Sequence, residues 1–192
     1  MVKLRVSIKA TLENCTDLQD SILTVDLKSH VLITSQFRVQ CGSCREEHPN
    51  WIGIDATESR EISGSRGEAN FVWRCTMCKR EHTISKFPST FRRSDIRQAG
   101  DFDPSFNRSK AFYTLDQSES QKFGTIAVLE CRGCEIIKFD PKGIWHCKGV
   151  ESGTLFDEVE LGLDNPDGWN DYDEKASEPV GVSEFESKIE RA

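Results

Sequence analysis

The sequence lacks several patterns that would place it in a familiar structural class. No apolar run approaches the roughly 20 residues that a membrane-spanning helix needs. The first residues alternate charged and apolar types instead of forming the hydrophobic stretch of a secretory signal. No segment keeps a helical period over three turns. We therefore expect little helix, no membrane segment, and a reducing location in the cytoplasm or also in the nucleus.

An excess of basic residues is also missing. The 192 residues carry a formal net charge of −7, but the acidity is local: residues 1–150 hold 22 basic and 19 acidic side chains, whereas residues 151–192 hold 3 and 13. An acidic chain disfavours non-specific binding to nucleic acid. We interpret the locally basic stretch at 79–110 as a solvated loop, and we expect no nucleic-acid partner.

Short segments with a period of two predict the fold class. In "LRVSIKATL" (4–12), apolar residues alternate with polar ones, which is typical of a half-buried strand. Other segments share β-branched or aromatic residues and end at Gly, Pro, Ser or Asn. They lie at 30–39, 51–56, 69–74, 82–87, 124–130, 134–139 and 154–161. The prediction is a mostly β protein of antiparallel strands, arranged as a sandwich or tent.

One long segment interrupts this pattern and suggests the domain organisation. Residues 88–122 are rich in serine, proline and scattered charges, so we predict a variable connection with at most one weak strand near Phe112. It separates an N-terminal β half (1–87) from an acidic C-terminal β half (123–192). Each half contains a strand that runs into cysteines, "FRVQCGSC" and "AVLECRGC", which makes two similar halves a hypothesis.

Two Cys-x-x-Cys pairs carry the strongest chemical signal. Both "CGSC" (41–44) and "CTMC" (75–78) follow predicted strands, and four thiolates complete the tetrahedral shell that zinc prefers. The thirty residues between the pairs exceed the usual spacing, but they can form a hairpin that returns the chain. A thioredoxin-like centre is disfavoured because no βαβ pattern is visible. We predict zinc-ribbon-like knuckles that hold one structural Zn²⁺ per chain through Cys41, Cys44, Cys75 and Cys78.

Further possible donors lie outside these pairs. His48 and His82 are close in sequence, but four thiolates suffice, so we expect neither histidine to be a ligand. A nominal second set is formed by Cys131, Cys134, His146 and Cys147. Because His146 and Cys147 are adjacent, they point to opposite faces of a strand unless a turn intervenes. We expect no second metal there, reduced and partly buried cysteines, and Cys15 as an isolated core or surface residue.

Six segments occur in an order that is typical of one known family. They are "ATLENCTDL" (10–18), "VQCGSC" (39–44), "SRGEANFVWRCTMC" (65–78), "ECRG" with "FDPKG" (130–143), "GVESGTLFDEVEL" (149–161) and "WNDYDEKASEPVGV" (169–182). The chain thus resembles the eukaryotic CXXC motif-containing zinc-binding protein family. The resemblance implies a monomeric, elongated, mostly antiparallel β protein of two similar halves, with zinc at the four cysteines and no established reaction. Cys134 departs from the family pattern, which commonly has an apolar residue there.

Three functions fit these observations. We favour a non-enzymatic zinc protein that binds a protein partner, because a closed thiolate shell leaves no position for a reactive water. The acidic, aromatic segment "WNDYDEKASE" (169–178), with Trp169 and Tyr172, is the candidate contact. The alternatives are a metal-handling protein with a labile zinc or copper site, and an enzyme similar to the B-type methionine sulfoxide reductases. In that enzyme Cys147 would be the catalytic thiol.

Overall fold

The computed structural model describes residues 1–20, 35–54, 58–86 and 112–192. Regular structure in these ranges is almost entirely β-strand. The strands are β1 (Val2–Glu13), β2 (Cys15–Asp20), β3 (Gln36–Cys41), β4 (Ile52–Gly53), β5 (Arg60–Glu61), β6 (Glu68–Ala69), β7 (Phe71–Arg74), β8 (Glu81–Lys86), β9 (Gly124–Arg132), β10 (Cys134–Asp140), β11 (Gly143–Gly149), β12 (Leu155–Leu161), β13 (Trp169–Asp173) and β14 (Glu178–Arg191). The short helix α1 covers Leu115–Glu119, and the Thr114 side chain caps its first turn. No helix among the described residues is both long enough and apolar enough to cross a membrane.

A six-stranded antiparallel sheet forms the centre of the molecule, in the order β13-β14-β1-β9-β8-β7. β1 lies inside it and pairs with β14 on one side and β9 on the other. The alternation noted in the sequence buries one face of β1, consisting of Leu4, Val6, Ile8, Ala10 and Leu12. The predicted first strand is therefore confirmed, and its apolar face becomes part of the core.

Two three-stranded sheets, β10-β3-β4 and β12-β11-β2, pack their apolar residues into the same core. In the first of these sheets, the register of β3 against β10 places Cys41 opposite Cys134. In the second, Trp145 of β11 is fully buried, and its indole N–H donates to the Pro141 carbonyl at 2.7 Å. This pairing satisfies the one polar group of a large buried side chain.

The mostly β, antiparallel fold class is confirmed, although several strands were not predicted. The segments at 69–74, 124–130, 134–139 and 154–161 lie within β7, β9, β10 and β12 or overlap them closely. Parts of the segments at 30–39, 51–56 and 82–87 lie outside the described residues. The strands β2, β5, β11, β13 and β14 were missed. β14 is the longest of these, and exposed charged residues interrupt its apolar positions, so its sequence lacks a clean alternation.

The division into two halves joined by 88–122 stays a prediction. Only residues 112–122 of that segment are among the described residues; they contain α1, which was not predicted, and next to Phe112 a single β-bridge lies where at most one weak strand was expected. Tyr113 forms a single antiparallel bridge with Leu18. Strands from before and after the segment share the six-stranded sheet, since β1, β7 and β8 lie beside β9 and β14. The β9–β10 turn brings the two Cys-x-x-Cys loops near each other, because β8 pairs with β9 and β3 pairs with β10.

Candidate metal centre

The first Cys-x-x-Cys pair lies on a tight loop at the end of β3. The Cys41 N–H donates to the Glu46 carbonyl at 2.8 Å, and the Cys41 carbonyl accepts the Arg45 N–H at 3.0 Å. Arg45 has a positive φ of 64°, which lets the chain reverse there. The Ser43 N–H points at the Cys41 sulfur from 3.4 Å. Backbone donors aimed at a sulfur stabilise its thiolate form.

The second pair repeats this arrangement between β7 and β8. The Cys75 N–H donates to the Arg80 carbonyl at 2.9 Å, and the Cys75 carbonyl accepts the Lys79 N–H at 3.0 Å. Lys79 has a positive φ of 61°, and the Cys78 N–H points at the Cys75 sulfur from 3.5 Å. Two separate segments thus adopt the same turn, with the first cysteine of each pair at the same position.

The two loops face each other, so that sulfurs from different loops come into contact. Cys41 Sγ lies 3.7 Å from Cys78 Sγ, and Cys44 Sγ lies 3.4 Å from Cys75 Sγ. With Zn–S bonds of about 2.3 Å, a tetrahedral site separates its sulfurs by about 3.8 Å. These two contacts are close to that separation. Donor atoms of Cys41, Cys75, Cys78 and His82 form one compact group that fits one Zn²⁺, whereas Cys44 groups with Glu46 and Cys75.

Glu46 links the loops, and no sequence pattern pointed to it. Its carboxylate accepts the Met77 N–H at 2.9 Å and the Thr76 hydroxyl at 2.5 Å, and the Cys75 thiol donates to it at 2.7 Å. The contact with Cys75, followed by those with Thr76 and Met77, lowers the pKa of Glu46 to about 2. Glu46 thus holds the second loop against the first through hydrogen bonds from one charged group.

The surroundings of Cys41 favour its thiolate. Burial raises the pKa of this thiol, but the backbone N–H groups of Cys44 and Ser43 and the neighbouring sulfurs outweigh burial and lower it to about 6. Metal ligation requires a deprotonated sulfur. A thiol that ionises below neutral pH is therefore prepared for a cation even before one binds.

The two nearby histidines differ in position. His48 lies apart from the sulfurs, with Nδ1 at 2.8 Å from the Asn50 carbonyl. His82 is 2% exposed, and its Nε2 lies 3.1 Å from Cys41 Sγ. From the sequence we expected neither histidine to be a ligand, and the structure places His82, but not His48, within the compact group of possible metal donors.

The nominal second set is not assembled. Among the described residues, no group of three or more closely spaced metal donors includes Cys131, Cys134, His146 or Cys147. Cys131 and Cys134 are neighbours at the β9–β10 turn, whereas Cys147 of β11 contacts Cys15. Cys15 and the three cysteines of the nominal set are all free and buried. From the sequence we expected the cysteines of the nominal set to be only partly buried.

Cys147 lacks the setting of a catalytic thiol. It is fully buried, and contact with Cys15 together with burial raises its pKa far above the usual range of a thiol. A nucleophilic cysteine needs access to solvent and a lowered pKa. The features required of a reductase cysteine are therefore not found at this position.

Comparison with known proteins identifies the family. The family model described as "CXXC motif containing zinc binding protein, eukaryotic" matches residues 5–190. The chain belongs to this family. The CXXC motif containing zinc binding protein of Bos taurus is 34% identical over 184 residues, covering 96% of this chain and 95% of the relative. The UPF0587 protein C2D10.03c of Schizosaccharomyces pombe is 38% identical over 156 residues, covering 81% and 82%.

A solved structure has a fold similar to that of the whole chain. The structure titled "Crystal Structure of C1orf123" superposes with a TM-score of 0.74 at 30% identity, and 99% of each chain is covered. The resemblance inferred from the six sequence segments is therefore confirmed. In this member of the family, the sulfur cluster fits one Zn²⁺, with His82 beside it.

Proposed function

We propose that this chain is a non-enzymatic zinc-binding protein in which Cys41, Cys44, Cys75 and Cys78 hold one structural Zn²⁺. The observation that carries the proposal is the pair of matching loops, whose sulfurs meet at 3.4 Å and 3.7 Å. A closed shell of four thiolates offers no site for an activated water, which favours a structural role over a catalytic one. The metal would tie β3 to the β7–β8 hairpin.

Metal analysis of the untagged protein tests this site. We expect one zinc per chain in the wild type and none in Cys75→Ser. The matched control is Cys131→Ser, because Cys131 is as buried as Cys75 but lies outside the cluster, at 1% against 0% exposure. This control should keep its zinc. A ratio near two that falls to one in Cys134→Ser would contradict the proposal of a single site.

We also propose that β13 and its surroundings bind a protein partner through a basic segment. No described strand pairs with the outer edge of β13, which is the last strand of the six-stranded sheet. Tyr172 on this strand is 54% exposed. Residues 151–192 hold 13 acidic and only 3 basic side chains. An acidic sheet edge with an exposed tyrosine suits a Lys- or Arg-rich strand that adds to the edge.

A pull-down from native cell extract tests the partner surface. Tyr172→Ala should lose a protein that the wild type retains, and salt should weaken retention because exposed charges are screened. Phe123→Ala is the control, since Phe123 is another exposed aromatic residue, at 41%, outside β13. Equal retention by all three proteins would argue against β13 as the contact.

A second candidate function, metal handling, is favoured by one observation. Cys44 and Cys78 are only half-buried, whereas Cys41 and Cys75 are fully buried. Half-exposed thiolates can be reached by a chelator or by an acceptor protein. Competition with a picomolar chelator separates the two roles: a structural ion stays on the folded protein for hours, and a handled ion is withdrawn rapidly.

A further inference from the structure

His82 reaches the centre of the sulfur cluster from the buried side. It is the second residue of β8, paired with Trp73 of β7. Its Nε2 lies 3.1 Å from Cys41 Sγ, and a ring nitrogen of His82 and the sulfurs of Cys41, Cys75 and Cys78 all lie within 4.8 Å of one another. A nitrogen that served only as a hydrogen-bond donor to one sulfur would not need to approach the other two. His82 therefore faces the point that a metal bound to these sulfurs would occupy.

Cys44 differs from the other three cysteines of the cluster. The compact group of three sulfurs and Nε2 does not include it, and it belongs instead to a second group with Glu46 and Cys75. Its sulfur lies 3.4 Å from that of Cys75, and its side chain is half-buried. Cys44 is thus half-exposed and lies outside the compact group formed by the other three cysteines and His82.

Packing holds the His82 ring in place, but no hydrogen bond to Nδ1 within the described residues fixes which ring nitrogen carries the proton. The Trp73 ring packs against the His82 ring in a tilted arrangement, with 5.3 Å between ring centres, and Gly133 lies so close that a Cβ there would collide with Nδ1. Among the described residues, Nδ1 has no hydrogen-bond partner. A ligating histidine usually has its second nitrogen fixed by a carbonyl or carboxylate. Without that restraint, Nε2 can donate a proton to a sulfur or offer its lone pair to a metal.

We propose that His82 is an alternative fourth ligand, which replaces Cys44 when that half-exposed thiolate leaves the metal. This inference rests on the proposed zinc site at the four cysteines. In the exchange, the bond from zinc to the Cys44 sulfur breaks, a bond from zinc to Nε2 forms, and the ring proton resides on Nδ1. The metal keeps four ligands, and its shell becomes less negative by the charge of one thiolate.

The exchange has a chemical consequence for the exposed face of the centre. Cys44 becomes a free thiolate at the surface while Cys41, Cys75, Cys78 and His82 retain the ion. A reagent that alkylates Cys44 would therefore modify the protein without releasing its zinc. If only the four cysteines could bind the ion, alkylation of Cys44 would leave zinc with three protein ligands.

Zinc X-ray absorption on the full chain tests the exchange directly. Wild-type protein should show four sulfurs and no imidazole, whereas Cys44→Ser should show three sulfurs and the outer-shell scattering of one imidazole. We expect Cys44→Ser to bind one zinc, about 10–100-fold more weakly than the wild type, and the double variant with His82→Phe to lose at least a further tenfold. His82→Phe alone should keep four sulfurs.

The outcomes separate this inference from the proposed function. Absence of zinc from the wild type would refute the zinc site itself. Zinc in Cys44→Ser with three sulfurs and only an oxygen ligand would overturn the exchange but leave the site intact, and so would equal affinities of the single and double variants. An imidazole already bound in the wild type would also overturn it, because His82 would then be a resident ligand. The scattering measurement needs no His82 variant, so a folding failure of His82→Phe does not affect it.

Discussion

Replacing Cys75 by serine should remove the metal and unfold the region around it. Cys75 is fully buried and belongs to both donor groups of the cluster, so neither group is complete without it. A structural zinc contributes about 10 kcal/mol of apparent binding free energy, which is comparable with the whole stability of about 5–15 kcal/mol for a typical domain. Without the ion, the loops keep only contacts such as Arg80 to Ser43 (2.8 Å) and Met77 to Glu46 (2.9 Å). Such exposed contacts are weak beside the metal, because water screens them.

The assay combines zinc content, thermal unfolding and hydrogen exchange. Cys75→Ser should contain no zinc, and the amides of β3, β7 and β8 should lose protection at 25 °C. Cys131→Ser controls for the exchange of a buried sulfur for a hydroxyl. Burying that hydroxyl costs about 1–3 kcal/mol, so the control should melt up to about 10 °C lower while keeping its zinc. A Cys75→Ser protein with unchanged melting temperature and zinc content would refute the reasoning.

Three further predictions concern other parts of the molecule. Tyr172→Ala should change the free energy of unfolding by less than about 0.5 kcal/mol, whereas Trp169→Ala should cost about 1–3 kcal/mol because its half-buried ring packs on Phe156 and the core. Asp173→Asn should destabilise the protein at neutral pH, with a difference that shrinks as the pH falls below about 4. Gly133→Ala should cost more than about 1 kcal/mol because its φ is 77°, and it should weaken zinc binding because the new methyl group would displace His82 from its contact with the Cys41 sulfur.

The sign of the pH effect follows from the carboxylate's surroundings. The Ser152 hydroxyl, the backbone N–H groups of Ala176 and Lys175, and the Thr154 hydroxyl lower the pKa of Asp173. Folding therefore favours the ionised form, so this stabilisation is complete above the ordinary pKa of aspartate and disappears as the pH falls through the folded value. Urea denaturation at several pH values measures it, and a difference between Asp173→Asn and wild type that is independent of pH would contradict the assignment.

Thermal melts test the predictions for Tyr172 and Trp169, and a chelator competition tests the prediction for Gly133. Equal losses of stability in Tyr172→Ala and Trp169→Ala would mean that the two side chains are equally buried. Thermal melts of both variants in the zinc-loaded state decide this. For Gly133→Ala, unchanged zinc affinity in a chelator competition would show that the ring of His82 tolerates displacement.

Local patterns in the sequence were enough to predict the fold class and the cysteine pairs. The alternation in "LRVSIKATL" needs only the period of a strand, and the burial of Val6 and Ile8 follows from it. The Cys-x-x-Cys spacing likewise specifies a tight turn with two sulfurs on one side. Both signals depend on residues within a few positions of one another, so no knowledge of distant contacts was required.

Tertiary structure alone decided which distant residues meet at the candidate metal centre. Glu46 joins the site because its loop lies against Met77, and His82 joins it because β8 pairs with β7 in a register that places it beside Trp73. The same long-range packing keeps Cys147 with Cys15 and away from Cys131. Strand order and register are set by the burial of a shared core between segments far apart in the chain, and a single sequence carries no direct record of those pairings.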